Sequence, residues 1–72
     1  MNTNKLRAVM ALNGDTGGEL SLAVGLSQQR FSAKLNDKHG AEFTQSEMQI
    51  IKDKYNLTAE EIDDIFFNKK VS

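Results

Sequence analysis

Residues 27–36, SQQRFSAKLN, combine amide, hydroxyl and cationic side chains at spacings suited to contacting DNA. A glutamine amide can pair bidentately with adenine N6 and N7, and a small apolar side chain such as Ala33 can meet a thymine methyl group. Arg30 and Lys34 are four residues apart and could reach phosphate oxygens from one flank of a helix. The candidate DNA-binding residues are therefore Gln28, Gln29, Arg30, Ser32, Ala33, Lys34 and, in the following loop, Lys38.

The apolar residues of this stretch predict a helix with one buried side. Phe31 and Leu35, four residues apart, fall on one helical face. Successive residues of a helix rotate by about 100 degrees, so Gln29, Ser32 and Ala33 should point broadly outward. The alternative interpretation is that this polar side is simply solvated, as on any amphipathic helix.

A second short helix is predicted just before this one. Thr16 and Glu19 have the spacing of a capping box, which satisfies the first free N–H groups of a helix. Gly25 can adopt the left-handed conformation that ends a helix, and Ser27 can cap the next. Two short helices joined by a tight glycine turn have the spacing of a helix-turn-helix, which presents its second helix to a DNA major groove.

Similar signals predict three further helices. One runs from about residue 3 or 4 to residue 13, and two begin at the capping boxes Thr44–Glu47 and Thr58–Glu61. Residues 36–43 show no periodicity and are interpreted as a loop. The fold expected is all-α, a small five-helix bundle in one domain over residues 1–72. Its expected inward residues are Leu6, Val9, Met10, Leu20, Ala23, Val24, Met48, Ile51, Tyr55, Ile62, Ile65 and Phe66.

The composition argues against catalytic and metal-binding chemistry. The chain has no cysteine and one histidine, His39, so neither a disulfide framework nor a typical zinc site is expected. No nucleophile, base and orienting acid occur at a recognisable spacing, and no glycine-rich phosphate loop follows a strand. We therefore expect no enzyme activity, no cofactor, no metal and no small-molecule substrate.

The charge is unevenly divided along the chain. Residues 1–40 carry five Lys or Arg and three Asp or Glu, whereas residues 41–72 carry four and seven, giving +2 and −3. Autonomous DNA-binding proteins are usually basic, because neutralising phosphates supplies much of their affinity. The net charge of −1 is therefore unusual for such a protein.

The C-terminal half contains candidate residues for binding a protein partner. An acidic surface there could complement the basic recognition helix of another DNA-binding protein. The alternative is that these acids favour the N-terminus of their own helix and keep the surface solvated. Two large apolar residues lie off the predicted buried stripes and would be anchors for a partner or a dimer if exposed, although partial burial is the alternative. The candidate partner-binding residues are Leu22, Glu60, Glu61, Asp63, Asp64 and Phe67.

Residues 16–36 resemble the helix-turn-helix of phage Cro and repressor proteins. The segments KLNDK, EFTQSEMQIIK and NLTAEEIDDIFFNKKVS extend the resemblance to small regulators of temperate-phage switches. Over the whole chain, the most similar family is that of the modulator-of-repression (anti-repressor) proteins of phages of Gram-positive bacteria. GLSQQRFSAKLN and IFFNKK are the most specific parts.

The resemblance implies a role for particular residues. Base edges would be contacted by Gln28, Gln29, Ser32 and Ala33. The family usually has a glutamine that contacts phosphate at the start of the second helix, where this chain has Gly17 and Gly18. The resemblance therefore implies the scaffold of a DNA-binding domain with a weaker hold on phosphate.

Two functions follow as expectations. The first is an anti-repressor of a phage lysis–lysogeny switch, which binds the DNA-binding domain of the cognate repressor, possibly on DNA. The second is a Cro-like repressor that binds double-stranded operator DNA by itself. Both would act in the cytoplasm of the bacterial host, since no apolar run of signal-peptide or membrane-spanning length occurs.

Overall fold

The structure is a computed structural model, and it describes residues 1–36 and 40–67. This part of the protein contains five α-helices. No strand occurs among these residues. The helices are α1 (Thr3–Leu12), α2 (Gly17–Val24), α3 (Gln28–Leu35), α4 (Gln45–Tyr55) and α5 (Ala59–Phe66). The predicted all-α, five-helix bundle is confirmed.

Each helix begins at a side chain that accepts a hydrogen bond from a free backbone N–H group of the first turn. The three predicted capping boxes are reciprocal: the threonine accepts from the N–H three residues on, and the glutamate accepts from the N–H of the threonine. Such a cap contributes about 1 kcal/mol. The five capping residues are Asn2, Thr16, Ser27, Thr44 and Thr58.

The turn between α2 and α3 has the predicted glycine conformation. Gly25 has a φ of 78°, which is in the left-handed region. The N–H of Leu26 then donates to the carbonyl oxygen of Ser21 at 2.9 Å, closing the end of α2. Leu26 itself is partly buried and packs against the core. The turn therefore fixes the direction in which α3 leaves α2.

One hydrophobic core connects the helices. Most of the expected inward residues are in it or pack against it, but Ala23 is exposed, so that expectation was wrong. Ser21 is buried instead, and its hydroxyl donates to the carbonyl oxygen of Gly18 at 2.7 Å, which satisfies the buried oxygen. The buried apolar residues are Leu6, Met10, Leu20, Val24, Phe31, Leu35, Phe43, Ile51, Leu57 and Ile65.

Phe43 and Leu57 belong to this core although neither lies in a helix. The ring of Phe43 makes edge-on contacts with Phe31 and Phe66, with centroid distances of 5.7 Å in both cases. Their burial was missed by the sequence analysis, because periodicity identifies inward positions only within regular elements.

Long-range hydrogen bonds hold α1 against α3 and α5. The N–H of Asn2 donates to the carbonyl oxygen of Ile65 at 2.6 Å, and the hydroxyl of Thr3 donates to that of Leu35 at 2.7 Å.

Among the described residues, no helix combines the length and the apolar character needed to cross a membrane.

Candidate nucleic-acid and partner interfaces

Helix α3 is oriented as the sequence predicts. Phe31 and Leu35 are buried, which leaves the opposite side of the helix facing out of the bundle. Gln29 and Ser32 are exposed, whereas Ala33 is half-buried. The outer side of α3 is therefore available to a macromolecule.

Lys34 does not extend freely beside Arg30, contrary to the expectation from their spacing. Its ammonium group lies 2.7 Å from the Oε1 atom of Glu47 on α4, and the two side chains are only 12% and 13% exposed. Burial by itself raises the pKa of Glu47. The hydrogen bonds from Lys34 and Thr44 lower it by more, so the net pKa lies below its usual value. This ion pair opposes any phosphate contact by Lys34.

Arg30 is the predicted phosphate-binding cation that stays accessible. It is exposed and makes no ion pair within residues 1–36 and 40–67. The remaining predicted cation, Lys38, lies outside the described residues, as does His39. The flank of α3 thus has one free positive charge where two were expected.

Gln28 lies over the start of α2. Its Nε2 atom is 2.7 Å from the position that a Cβ atom on Gly18 would occupy. A side chain at residue 18 would therefore displace this amide. Gln28 remains exposed. The sequence analysis treated Gly18 only as a lost phosphate contact, but its missing side chain also leaves room for Gln28.

The predicted acidic surface on α5 is smaller than the sequence suggests. Glu61 forms the capping box of its own helix, and Asp64 pairs with Lys5 of α1 at 2.9 Å. The hydrogen bond with Asp64 raises the pKa of Lys5. Glu60 and Asp63 are exposed and make no ion pair within the described part of the chain. These two carboxylates are the ones available to a partner.

Large apolar side chains are exposed at several points. Leu22 is 79% exposed and Phe67 is 53% exposed, so neither side chain is buried in the bundle. Leu12, at the end of α1, is 86% exposed and was missed. Since Leu12 lies off the buried stripe of α1, the reasoning that singled out Leu22 could also have found it.

Phe67 also borders two grooves that are lined in part by α4. The larger, of about 330 Å³, is lined in part by Met48 and Phe66. The smaller, of about 230 Å³, shares Met48 and Phe67 with it. An exposed aromatic ring beside such grooves is typical of a protein-binding surface.

No cluster of three or more His, Cys, Asp or Glu suited to a metal ion occurs where the structure describes the chain. Comparison with protein-family models, curated proteins and solved structures gives no match. The resemblance to phage regulators therefore remains a prediction from the sequence motifs.

Proposed function

We propose that this protein is a phage transcriptional regulator that acts as an anti-repressor in a lysis–lysogeny switch. It would bind the DNA-binding domain of the cognate repressor in the cytoplasm of the host bacterium. The observation that carries the proposal is the ion pair between Lys34 and Glu47. It leaves Arg30 as the one cation of α3 outside an ion pair in the described chain, on a protein whose net charge is −1. DNA binding by α3 alone would then be weak.

The exposed side of α5 supports a protein partner. Glu60, Asp63 and Phe67 are three and four residues apart and so fall on one face of the helix. Two free carboxylates complement the basic residues with which a repressor holds DNA. An exposed phenylalanine can supply the apolar anchor that dominates many interfaces. This face of α5 is the surface to which we assign the repressor.

The test is a calorimetric titration of the full chain into purified cognate repressor without DNA. Asp63→Lys should weaken binding by roughly tenfold, because it places like charges across the interface. Asp53→Lys makes the same charge change on α4, where the side chain is also exposed, and should leave the affinity unchanged. Equal effects of the two variants would reject the α5 surface, and no binding by the unaltered chain would reject the anti-repressor function.

A second candidate function is that of a Cro-like operator-binding repressor. It is favoured by the exposure of Gln28, Gln29 and Ser32 on the outer side of α3. Glutamine amides in this position can read adenine directly in the major groove.

The two functions are separated by titrating the chain into labelled operator DNA with and without the repressor. A Cro-like protein should bind the operator alone, and Gln29→Ala should relax its base preference by about 1–3 kcal/mol at one position. Retention of the full base preference in Gln29→Ala would argue against direct reading by this residue. Binding that requires the repressor would favour the anti-repressor.

A further inference from the structure

An arginine of α1 lies beside the outer side of α3. The Nη2 atom of Arg7 donates to the Oδ1 atom of Asn36 at 3.4 Å. The Nδ2 atom of Asn36 in turn donates to the hydroxyl oxygen of Ser32 at 3.3 Å. All three side chains are exposed, and together they form a polar connection from α1 to the candidate DNA-contacting side of α3.

Arg7 remains available to a further acceptor. The other cation of α1, Lys5, is paired with Asp64, whereas Arg7 makes no ion pair to the described residues. Its contact with Asn36 is long and involves a neutral amide. A guanidinium group has five N–H donors in a planar fork, so most of them are free to bind an anion such as phosphate.

Arg7 and Arg30 lie on opposite flanks of the outer side of α3. With a rotation of about 100 degrees per residue, Ser32 and Asn36 lie on one side of Gln29 and Arg30 lies on the other. Asn36 lies six residues after Arg30, which is roughly 9 Å further along the helix. The major groove is about 12 Å wide. Positive charges on both sides of this helix are therefore placed where they can reach the phosphates that border the groove on its two strands.

We infer that Arg7 is a phosphate-binding residue that forms, with Arg30, a clamp for double-stranded DNA around the outer side of α3. This inference rests on the second candidate function, in which this chain binds DNA by itself. Arg7 then supplies the charge that Lys34 does not, because Lys34 is held by Glu47. Two phosphate contacts correspond to a slope of about −1.8 for log K against log salt.

The test is fluorescence anisotropy of a labelled mixed-sequence DNA duplex titrated with the full chain between roughly 50 and 200 mM salt. Arg7→Gln and Arg30→Gln should each reduce the magnitude of the slope by about 0.9. Lys52→Gln is the matched control, since it removes the same charge from α4 without breaking an ion pair seen in the structure. Arg7→Lys keeps the charge and should keep the slope, and Arg7→Met, which also removes the charge, replaces Arg7→Gln if the latter does not fold by circular dichroism.

The outcomes distinguish a failure of the role of Arg7 from a failure of the Cro-like function. An unchanged slope in Arg7→Gln, or an equal reduction in Lys52→Gln, would overturn the role of Arg7 while leaving DNA binding intact. Loss of repressor binding in Arg7→Gln with an unchanged slope would instead assign Arg7 to a protein contact. If the unaltered chain binds no duplex over this salt range, both the clamp and the Cro-like function fail, but the anti-repressor proposal does not.

Discussion

At the scale of single residues, Asp15 contacts two side chains at the end of α4. The hydroxyl of Tyr55 donates to its Oδ2 atom at 2.7 Å, and the ammonium of Lys54 lies 3.4 Å from the same oxygen. This cluster joins the turn after α1 to the end of α4. The hydrogen bond from Tyr55 lowers the pKa of Asp15, and the contact with Lys54 lowers it too. Together they outweigh burial, which raises this pKa. Burial and the same hydrogen bond raise the pKa of Tyr55.

We expect Tyr55→Phe to lower the free energy of unfolding by about 1 kcal/mol at neutral pH, because it removes this hydrogen bond. A carboxylate whose folded-state pKa is lowered stabilises the fold above its unfolded-state pKa, near 3.8, and loses that contribution as the pH falls through the folded value. The difference between the variant and the unaltered chain should therefore shrink as the pH falls below 3.8. Urea denaturation at neutral and acidic pH measures both. A difference that stays constant with pH would show that the bond does not depend on ionised Asp15.

At the scale of elements, the glycine that begins α2 and the glycine that directly follows it have different physical roles. Gly17, in the first turn, has ordinary helical geometry, and a Cβ atom there would come no closer than 3.8 Å to the ring of Phe31. Gly25 has a left-handed backbone, and a Cβ atom there would meet nothing within 4 Å. A side chain at Gly25 is thus opposed by backbone conformation and not by packing.

Alanine at these two positions should have opposite effects. Gly25→Ala should destabilise the protein by about 1 kcal/mol, because an alanine in the left-handed region is strained. Gly17→Ala should stabilise it by roughly 0.4–1 kcal/mol, since it reduces the freedom of the unfolded chain without a clash. Thermal unfolding followed by circular dichroism measures both variants, each serving as the control for the other. Destabilisation of equal size in both would mean that α2 does not accept a side chain at its start.

At the scale of the whole molecule, the aromatic contact of Phe43 with Phe31 and Phe66 holds α3 and α5 around the segment before α4. A chain of 72 residues has a small core, so each large buried side chain is a substantial part of its stability. The orientation of α3, and with it the candidate DNA-contacting side, depends on this packing.

Phe43→Ala should remove a large part of the free energy of unfolding. Replacing a buried phenylalanine by alanine costs about 3–5 kcal/mol, which is comparable with the total stability of a domain of this size, roughly 4–11 kcal/mol. Leu12→Ala is the matched control, because Leu12 is 86% exposed and its truncation should cost no more than about 0.5 kcal/mol. Far-ultraviolet circular dichroism and urea denaturation measure the loss. A cooperative transition close to that of the unaltered chain would contradict a central role of Phe43.

The sequence by itself determined the five helices, four of their five capping residues, the glycine turn after α2 and the outward direction of α3. These features are local, because caps, turns and helical faces depend on residues within about four positions of one another. The three capping boxes and the burial of Phe31 and Leu35 could therefore be predicted directly from spacing.

The tertiary structure alone decided which charges of the candidate interfaces are free. Lys34 pairs with Glu47, 13 residues away, and Lys5 pairs with Asp64, 59 residues away, so spacing along a single helix could not indicate either pair. The position of Arg7 beside α3 depends in the same way on how α1 packs. Packing brings together side chains from distant elements, and it decides whether a charge is satisfied inside the protein or offered to a partner.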